Sequence, residues 1–156
     1  MAVVFIGIGS SINRAENIRL GLVALKAEFG ELLLSPLYES EAVGFSGINF
    51  YNLVAKLHTE QNIMELIKKL KAIEKQFGRP EKSAKFTPRT LDLDLLLYDQ
   101  QIEPDLDLPR AEILKNAFVL KPLSELAPTL KHPVLGESYQ TLWSHYPQQK
   151  QKLWKI

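Results

Sequence analysis

Apolar positions recur along this chain with two periods, one near 3.6 and one of 2, and their alternation predicts its elements. Ala2 to Ile8 is β-branched and aromatic and predicts a buried strand, ended by a turn at Gly9, Ser10 and Ser11. Ile18, Leu22, Leu25 and Phe29 predict a helix that stops at Gly30, with Asn13-Arg14-Ala15-Glu16 as a capping box at its start. Leu32 to Ser40 predicts a strand edged at Pro36, and Glu41 to Ile48 a loop with two glycines. Phe50 to Thr59 alternates, with Tyr51, Leu53, Ala55 and Leu57 on one face and Asn52, Val54, Lys56 and His58 on the other. Ile63, Leu66, Leu70, Ile73 and Phe77 mark a second helix ended by Gly78. The rhythm then breaks until Leu91 to Tyr98, which returns to a strand. Ala111 to Asn116 predicts a short helix, Phe118 to Leu120 a short strand and Leu123 to Ala127 a helical turn. With no repeat, low-complexity tract or linker, one domain over residues 1–156 is expected.

Composition narrows the class. The 156 residues are 46% hydrophobic and 24% charged, ordinary for a globular protein, with a formal net charge of +1. That balance removes the simple argument for binding nucleic acid or membranes through bulk charge. Cysteine is absent, which excludes a disulfide framework, a thiolate metal site and a cysteine nucleophile. The opening residues lack a basic flank and a long apolar run, so no signal peptide is expected. No stretch approaches the roughly 20 apolar residues of a membrane helix. A cytoplasmic monomer is the expectation.

The candidate chemistry gathers in Pro88-Arg89-Thr90-Leu91-Asp92-Leu93-Asp94 and the three leucines and Tyr98 that follow. In a strand, Asp92 and Asp94 project from one face, roughly 6–7 Å apart. Like charges held together raise each other's pKa unless a cation intervenes. Oxygen ligands at this spacing suit Mg²⁺ shared with substrate phosphates. The preceding segment carries Arg79, Lys82, Lys85 and Arg89 against Glu81, a local charge of +3 suited to phosphate oxygens. The pair also fits a solvent-facing edge matched by Lys or Arg, and the basic segment also fits a solvated loop. A P-loop and a Gly-x-Ser-x-Gly elbow are absent, and Gly7-Ile8-Gly9 lacks the third glycine of a dinucleotide fingerprint. His58, His132 and His145 have no metal-ligand spacing, and Trp143, Tyr146 and Trp154 read as core or tail-docking aromatics.

Taken together, these residues resemble the hydroxymethyldihydropterin pyrophosphokinase family over nearly the whole chain. The marker is the Pro88-to-Tyr98 run, supported by Gly9-Ser10, the Tyr38-to-Gly44 segment, Tyr51-Asn52 and Ala117-Phe118-Val119-Leu120 with Pro122-Leu123. The resemblance implies a single-domain α+β fold, a ferredoxin-like sandwich with a mainly antiparallel sheet. It implies an enzyme that transfers pyrophosphate from Mg-ATP to 6-hydroxymethyl-7,8-dihydropterin, releasing AMP, in folate biosynthesis. It further implies that Asp92 and Asp94 bind magnesium, with Asp94 also activating the hydroxyl and Arg79 and Arg89 taking part in catalysis. Ser40, Val43, Asn52, Phe118 and Phe86 would form the pterin site. Glu74, Lys82, Lys85, Arg89 and Arg110 would face the nucleotide.

Several positions depart from the family pattern. Phe86-Thr87 stands in place of Trp-Gly, Glu81 in place of a loop arginine, Arg110 in place of His, Asn116 in place of Arg and Ser11 in place of Asn. The pterin side and the metal pair are kept, while the ATP side is thinned. Two readings follow: a working pyrophosphokinase, or a pterin-binding paralogue with weak or altered transfer. The enzyme is favoured, because a simple pterin binder has no evident use for two metal carboxylates.

Overall fold

The period-2 segments pair into one antiparallel sheet, and the 3.6-period segments cover it. In the computed structural model, residues 1–41, 49–78 and 90–156 are described. The loop reading at 42–48 and the basic segment at 79–89 lie outside them, and with these Val43, Arg79, Lys82, Lys85, Phe86 and Arg89.

The elements are β1 (Ala2–Ser10), α1 (Arg14–Phe29), β2 (Leu33–Leu34), β3 (Tyr38–Ser40), β4 (Phe50–Thr59), α2 (Ile63–Gln76), β5 (Asp92–Tyr98), α3 (Glu112–Lys115), α4 (Ala117–Leu126), α5 (Tyr139–His145) and β6 (Leu153–Lys155). The strands run in the order β5-β1-β4-β3-β6, with β2 also on β4, and every pairing is antiparallel. Through β5, the strand–helix alternation is the ferredoxin-like arrangement expected from the sequence.

Side-chain alternation builds two cores. Val4, Ile6, Ile8, Leu53, Ala55, Leu57, Leu93 and Leu95 face Ile18 and Leu25 of α1 and Leu66, Leu70 and Ile73 of α2. On the opposite face Phe5, Val54, Leu96 and Leu97 meet Ile113, Val119, Leu120, Leu123 and Tyr139 of α3, α4 and α5. Each fully buried leucine contributes on the order of 2 kcal/mol of transfer free energy. Of this second helical layer, the sequence marks the short helix at Ala111–Asn116 and the helical turn at Leu123–Ala127, but not α5.

One irregularity in β5 shapes the site. Ile6 pairs with Leu95 but Phe5 pairs with Leu97, so Leu96 is an extra residue opposite that step. Leu96 and Leu97 consequently both face the α4 side, as a β-bulge allows. The Leu96 carbonyl, turned out of the ladder, accepts the backbone N–H of Arg110 at 3.0 Å.

Two expectations are corrected. Asn13 does not cap α1 through its side chain: it adopts a left-handed conformation (φ 43°), and Glu16 pairs with Arg19 instead. The same Asn-x-x-Glu spacing forms a true capping box at Asn62 and Glu65 on α2. Phe118–Leu120 is not a strand: it opens α4, because Val119, Leu120 and Leu123 at helical spacing all reach the second core. The tail adds α5 and then β6, which pairs with β3. Trp143 and Tyr146 stack within it, ring centroids 5.5 Å apart.

Candidate active site

At the end of the sheet where β1 finishes and β5 begins, strand register aligns the predicted residues in rows. Asp92 lies opposite Gly9, Gly9 opposite Asn52, and Asn52 opposite Tyr38. Asp94 lies opposite Gly7, and Gly7 opposite Val54. Directly paired residues share a face, so Asp92, Asp94, Asn52 and, two residues on from Tyr38, Ser40 all project toward α4. The carboxylates and Asn52 stand two strand spacings apart, roughly 10 Å, across a glycine floor.

A Cβ on Gly9 would stand 2.8 Å from Asn52 Oδ1, so that side chain would have to shift, whereas one on Gly7 would meet the Leu96 side chain at 3.4 Å, close to ordinary contact. Asn52 lies over Gly9 and donates from Nδ2 to Ser40 Oγ at 2.9 Å, deep in the protein. Phe118, the second residue of α4, packs half-buried against the core beneath.

Both ends of the 79–89 segment attach here. Thr90 Oγ1 donates to the Phe77 carbonyl at 2.5 Å, and Ser10 Oγ donates to the Thr90 carbonyl at 2.6 Å. Arg14 similarly gathers the residues flanking 42–48: it contacts Glu39 at 3.2 Å and the Asn49 carbonyl at 2.8 Å, and lies over the Tyr51 ring.

The acid pair is answered by one cation among the described residues. Arg110 Nη2 stands 3.4 Å from Asp94 Oδ1 and 2.9 Å from Glu112 Oε1, and Nη1 is 3.8 Å from Asp107 Oδ2. Burial, and then the Asp92 carboxylate, push the Asp94 carboxyl well above the usual carboxylate range; Arg110 only partly offsets them, and Glu112 and Glu74 add to the rise. Burial opposes the Arg110 charge, but Asp94, Glu112 and Asp107 outweigh it and raise its pKa. Arg110 Nε is buried without a hydrogen-bond partner among the described residues.

Glu74 sits at this same end, but its visible work is structural. Its Oε2 accepts the Leu93 backbone N–H at 2.7 Å and so covers the outer edge of β5.

Sequence reasoning missed three contributors. Gly7 and Gly9 read in the sequence as part of a strand-ending turn and a weak nucleotide fingerprint, with Gly9 also in the family pattern, whereas both lie within β1 and their two-residue spacing matches that of Asp92 and Asp94 across the ladder. Glu112 was not singled out, although it holds Arg110. Gln151 was not singled out either: its Nε2 donates to Asn116 Oδ1 at 2.8 Å, and its Oε1 accepts the Ala117 N–H at 2.7 Å. Nothing local in the sequence marks it.

The donor set fits a hard cation. Two carboxylates share a face and offer hard oxygen donors, and among the described residues no sulfur or imidazole stands with them. Among the described residues no cluster of three or more His, Cys, Asp or Glu could hold a metal by itself. Asp92 and Asp94 therefore suit an ion that takes its remaining ligands from water and substrate.

The antiparallel α+β sandwich thus carries a carboxylate pair on its edge strand, on the same face as Asn52 and Ser40. The family model for 7,8-dihydro-6-hydroxymethylpterin-pyrophosphokinase matches residues 5–128, and the chain belongs to that family. It is 36% identical over 138 residues to the 2-amino-4-hydroxy-6-hydroxymethyldihydropteridine pyrophosphokinase of Aquifex aeolicus, covering 86% of each. To the enzyme of the same description from Pseudomonas aeruginosa it is 38% identical over 139 residues, covering 83% of each. In fold it resembles the crystal structure of Plasmodium falciparum HPPK-DHPS with STZ-DHP: TM-score 0.72 at 13% identity, over 93% of this chain and 41% of that longer one. Among the described residues no helix is long and apolar enough to cross a membrane.

Proposed function

We propose that this chain transfers the terminal pyrophosphoryl group of ATP to 6-hydroxymethyl-7,8-dihydropterin. The observation that carries the reading is the row Asp92–Gly9–Asn52, which sets a carboxylate pair and a hydrogen-bonding amide at opposite sides of a floor without side chains. The pterin edge bonds Asn52 beside Ser40, and its ring stacks on Phe118; Val43 and Phe86 complete this pocket. The triphosphate lies over β5, with Arg110, Lys82, Lys85, Arg79 and Arg89 meeting its oxygens and Glu74 at its border.

The hydroxymethyl oxygen attacks the β-phosphorus, and the bond from that phosphorus to the oxygen bridging the α-phosphate breaks. AMP leaves with that oxygen, and the hydroxyl proton passes to Asp94. Asp92 and Asp94 would hold Mg²⁺, which would supply neutralisation of the phosphate charge. The protein contributes mainly positioning and a fixed electrostatic environment, as expected for phosphoryl transfer. The active unit is a cytoplasmic monomer needing no nucleic acid or membrane.

The test is AMP formation from Mg-ATP with and without the pterin, beside Asp92→Ala. Pterin-dependent AMP that vanishes in the variant is the expected result. Tight pterin binding without AMP would instead make the chain a pterin-binding relative whose ATP side, at Glu81, Arg110 and Asn116, has changed its use.

A further inference from the structure

Residues 129–156 lie outside the stretch matched by the family model, yet their last segment reaches both walls of the site. β6 pairs with β3, placing Leu153 opposite Ser40, and the Glu41 N–H donates to the Lys152 carbonyl at 3.3 Å. The Ile156 N–H donates to the Leu37 carbonyl at 2.9 Å, so the tail grips β3 at both ends. Two residues before β6, Gln151 turns to α4 and caps it: Oε1 accepts from Ala117 N–H, while Nε2 donates to Asn116 Oδ1.

The need for such a cap is local. Asn116 occupies the N-cap position of α4, but its side chain does not cap the helix. Its Nδ2 donates instead to Glu112 Oε2 at 3.1 Å, and Glu112 Oε1 in turn accepts from Arg110. The first helical N–H groups lack intrahelical partners, so with the Asn116 side chain engaged elsewhere they need acceptors from outside the helix. Gln151 supplies one to Ala117 at 2.7 Å, beside the Tyr146 hydroxyl.

We infer that Gln151 is a positioning residue for the pterin pocket, fixing the first turn of α4, and so Phe118, relative to Ser40 on β3. The tail is then a working part of the site and sets the width of the slot into which a planar ligand slides. This role rests on the pterin reading proposed above.

The experiment compares the full chain with Gln151→Leu, which keeps the volume and loses both bonds, and Gln151→Glu, which keeps the acceptor. Amide exchange at Ala117 is read alongside that of Val4 to Ile8 as a folding control, and binding of 6-hydroxymethyl-7,8-dihydropterin and of a non-hydrolysable Mg-ATP analogue is measured by calorimetry. Gln151→Leu is expected to lose protection at Ala117 with the β1 amides unchanged, and to weaken pterin binding roughly five-fold, the worth of one hydrogen bond. Binding of the nucleotide analogue should weaken less than that of the pterin, because Gln151 reaches Arg110 only through Asn116 and Glu112. Gln151→Glu should restore Ala117 protection and most of the pterin affinity. Unchanged Ala117 exchange in Gln151→Leu overturns the cap itself, whether or not pterin binds. Faster exchange with unaltered pterin affinity overturns the positioning role. A wild-type chain that protects Ala117 but binds no pterin overturns the reading of the pocket, and with it the role assigned to Gln151 there.

Discussion

Arg110 reaches Asp94 because the bulge in β5 hands it the Leu96 carbonyl: one backbone bond of 3.0 Å fixes the arginine's position, and its guanidinium then lies 3.4 Å from the carboxylate. Among the described residues Arg110 is thereby shared between Asp94, Glu112 and Asp107.

Asp94 is therefore expected to serve function against stability. Its pKa in the fold lies above the ordinary 3.8, so the protonated form favours folding, and that contribution is lost as pH rises through the folded pKa. Asp94→Asn should lower transfer by roughly 100-fold or more. Without metal at neutral pH it should raise stability on the order of 1 kcal/mol. Thermal unfolding across pH would show the gap between variant and wild type widening as pH rises from about 4; a gap that narrows contradicts the assignment.

Gly9→Ala separates packing from recognition. The new Cβ meets the far end of the Asn52 side chain, which can move aside, so stability should change by about 1 kcal/mol or less. Displacing Asn52 from Ser40 should nonetheless raise KM for the pterin roughly five- to ten-fold, with KM for ATP little altered. Steady-state kinetics with each substrate varied in turn decides it, and an equal rise in both constants would count against Asn52 as the pterin contact.

Glu74→Ala should behave as a structural lesion. It leaves the Leu93 N–H on the β5 edge without its carboxylate, in a buried setting, at a cost of about 1–3 kcal/mol. Glu74→Gln retains an acceptor oxygen and should recover most of that loss. Urea unfolding of both variants provides the comparison, and equal destabilisation would show that charge, not the hydrogen bond, holds the edge.

His132 supplies a pH dependence remote from the site. Its Nδ1 accepts the N–H groups of Val134 and Leu135, each at 3.2 Å, and burial lowers its pKa below 6.5. The unfolded chain then takes up a proton before the folded one does. Its contribution to stability is full above 6.5 and declines as pH falls through the folded pKa. His132→Asn, which preserves an acceptor and cannot titrate, should flatten that part of the stability profile; an unaltered slope assigns the effect elsewhere.

The comparison of two Asn-x-x-Glu segments shows where sequence reading succeeds and where it stops. Asn62 is extended and Glu65 folds back to complete the box, whereas Asn13, with identical spacing, turns left-handed and its Glu16 goes to Arg19. The residue pattern is the same in both, and the backbone entering the helix decides between them. Phe118 to Leu120 teaches a similar point: three apolar residues are too few to reveal their period, and contact with the second core makes them helical.

The sequence by itself determined what depends on near neighbours. The strand period puts Asp92 and Asp94 on one face, the helical period buries Ile18, Leu25, Leu66 and Leu70, and the residue types of the Pro88-to-Tyr98 run mark the family. Only the tertiary structure decided what those carboxylates face. Register sets Gly9 and Asn52 across from Asp92, the bulge at Leu96 delivers Arg110 to Asp94, and pairing of β6 with β3 brings Gln151 to α4. The physical reason is distance along the chain: periodicity is written in adjacent residues, but register, bulge and edge pairing are settled by which packing of the whole chain satisfies its buried polar groups.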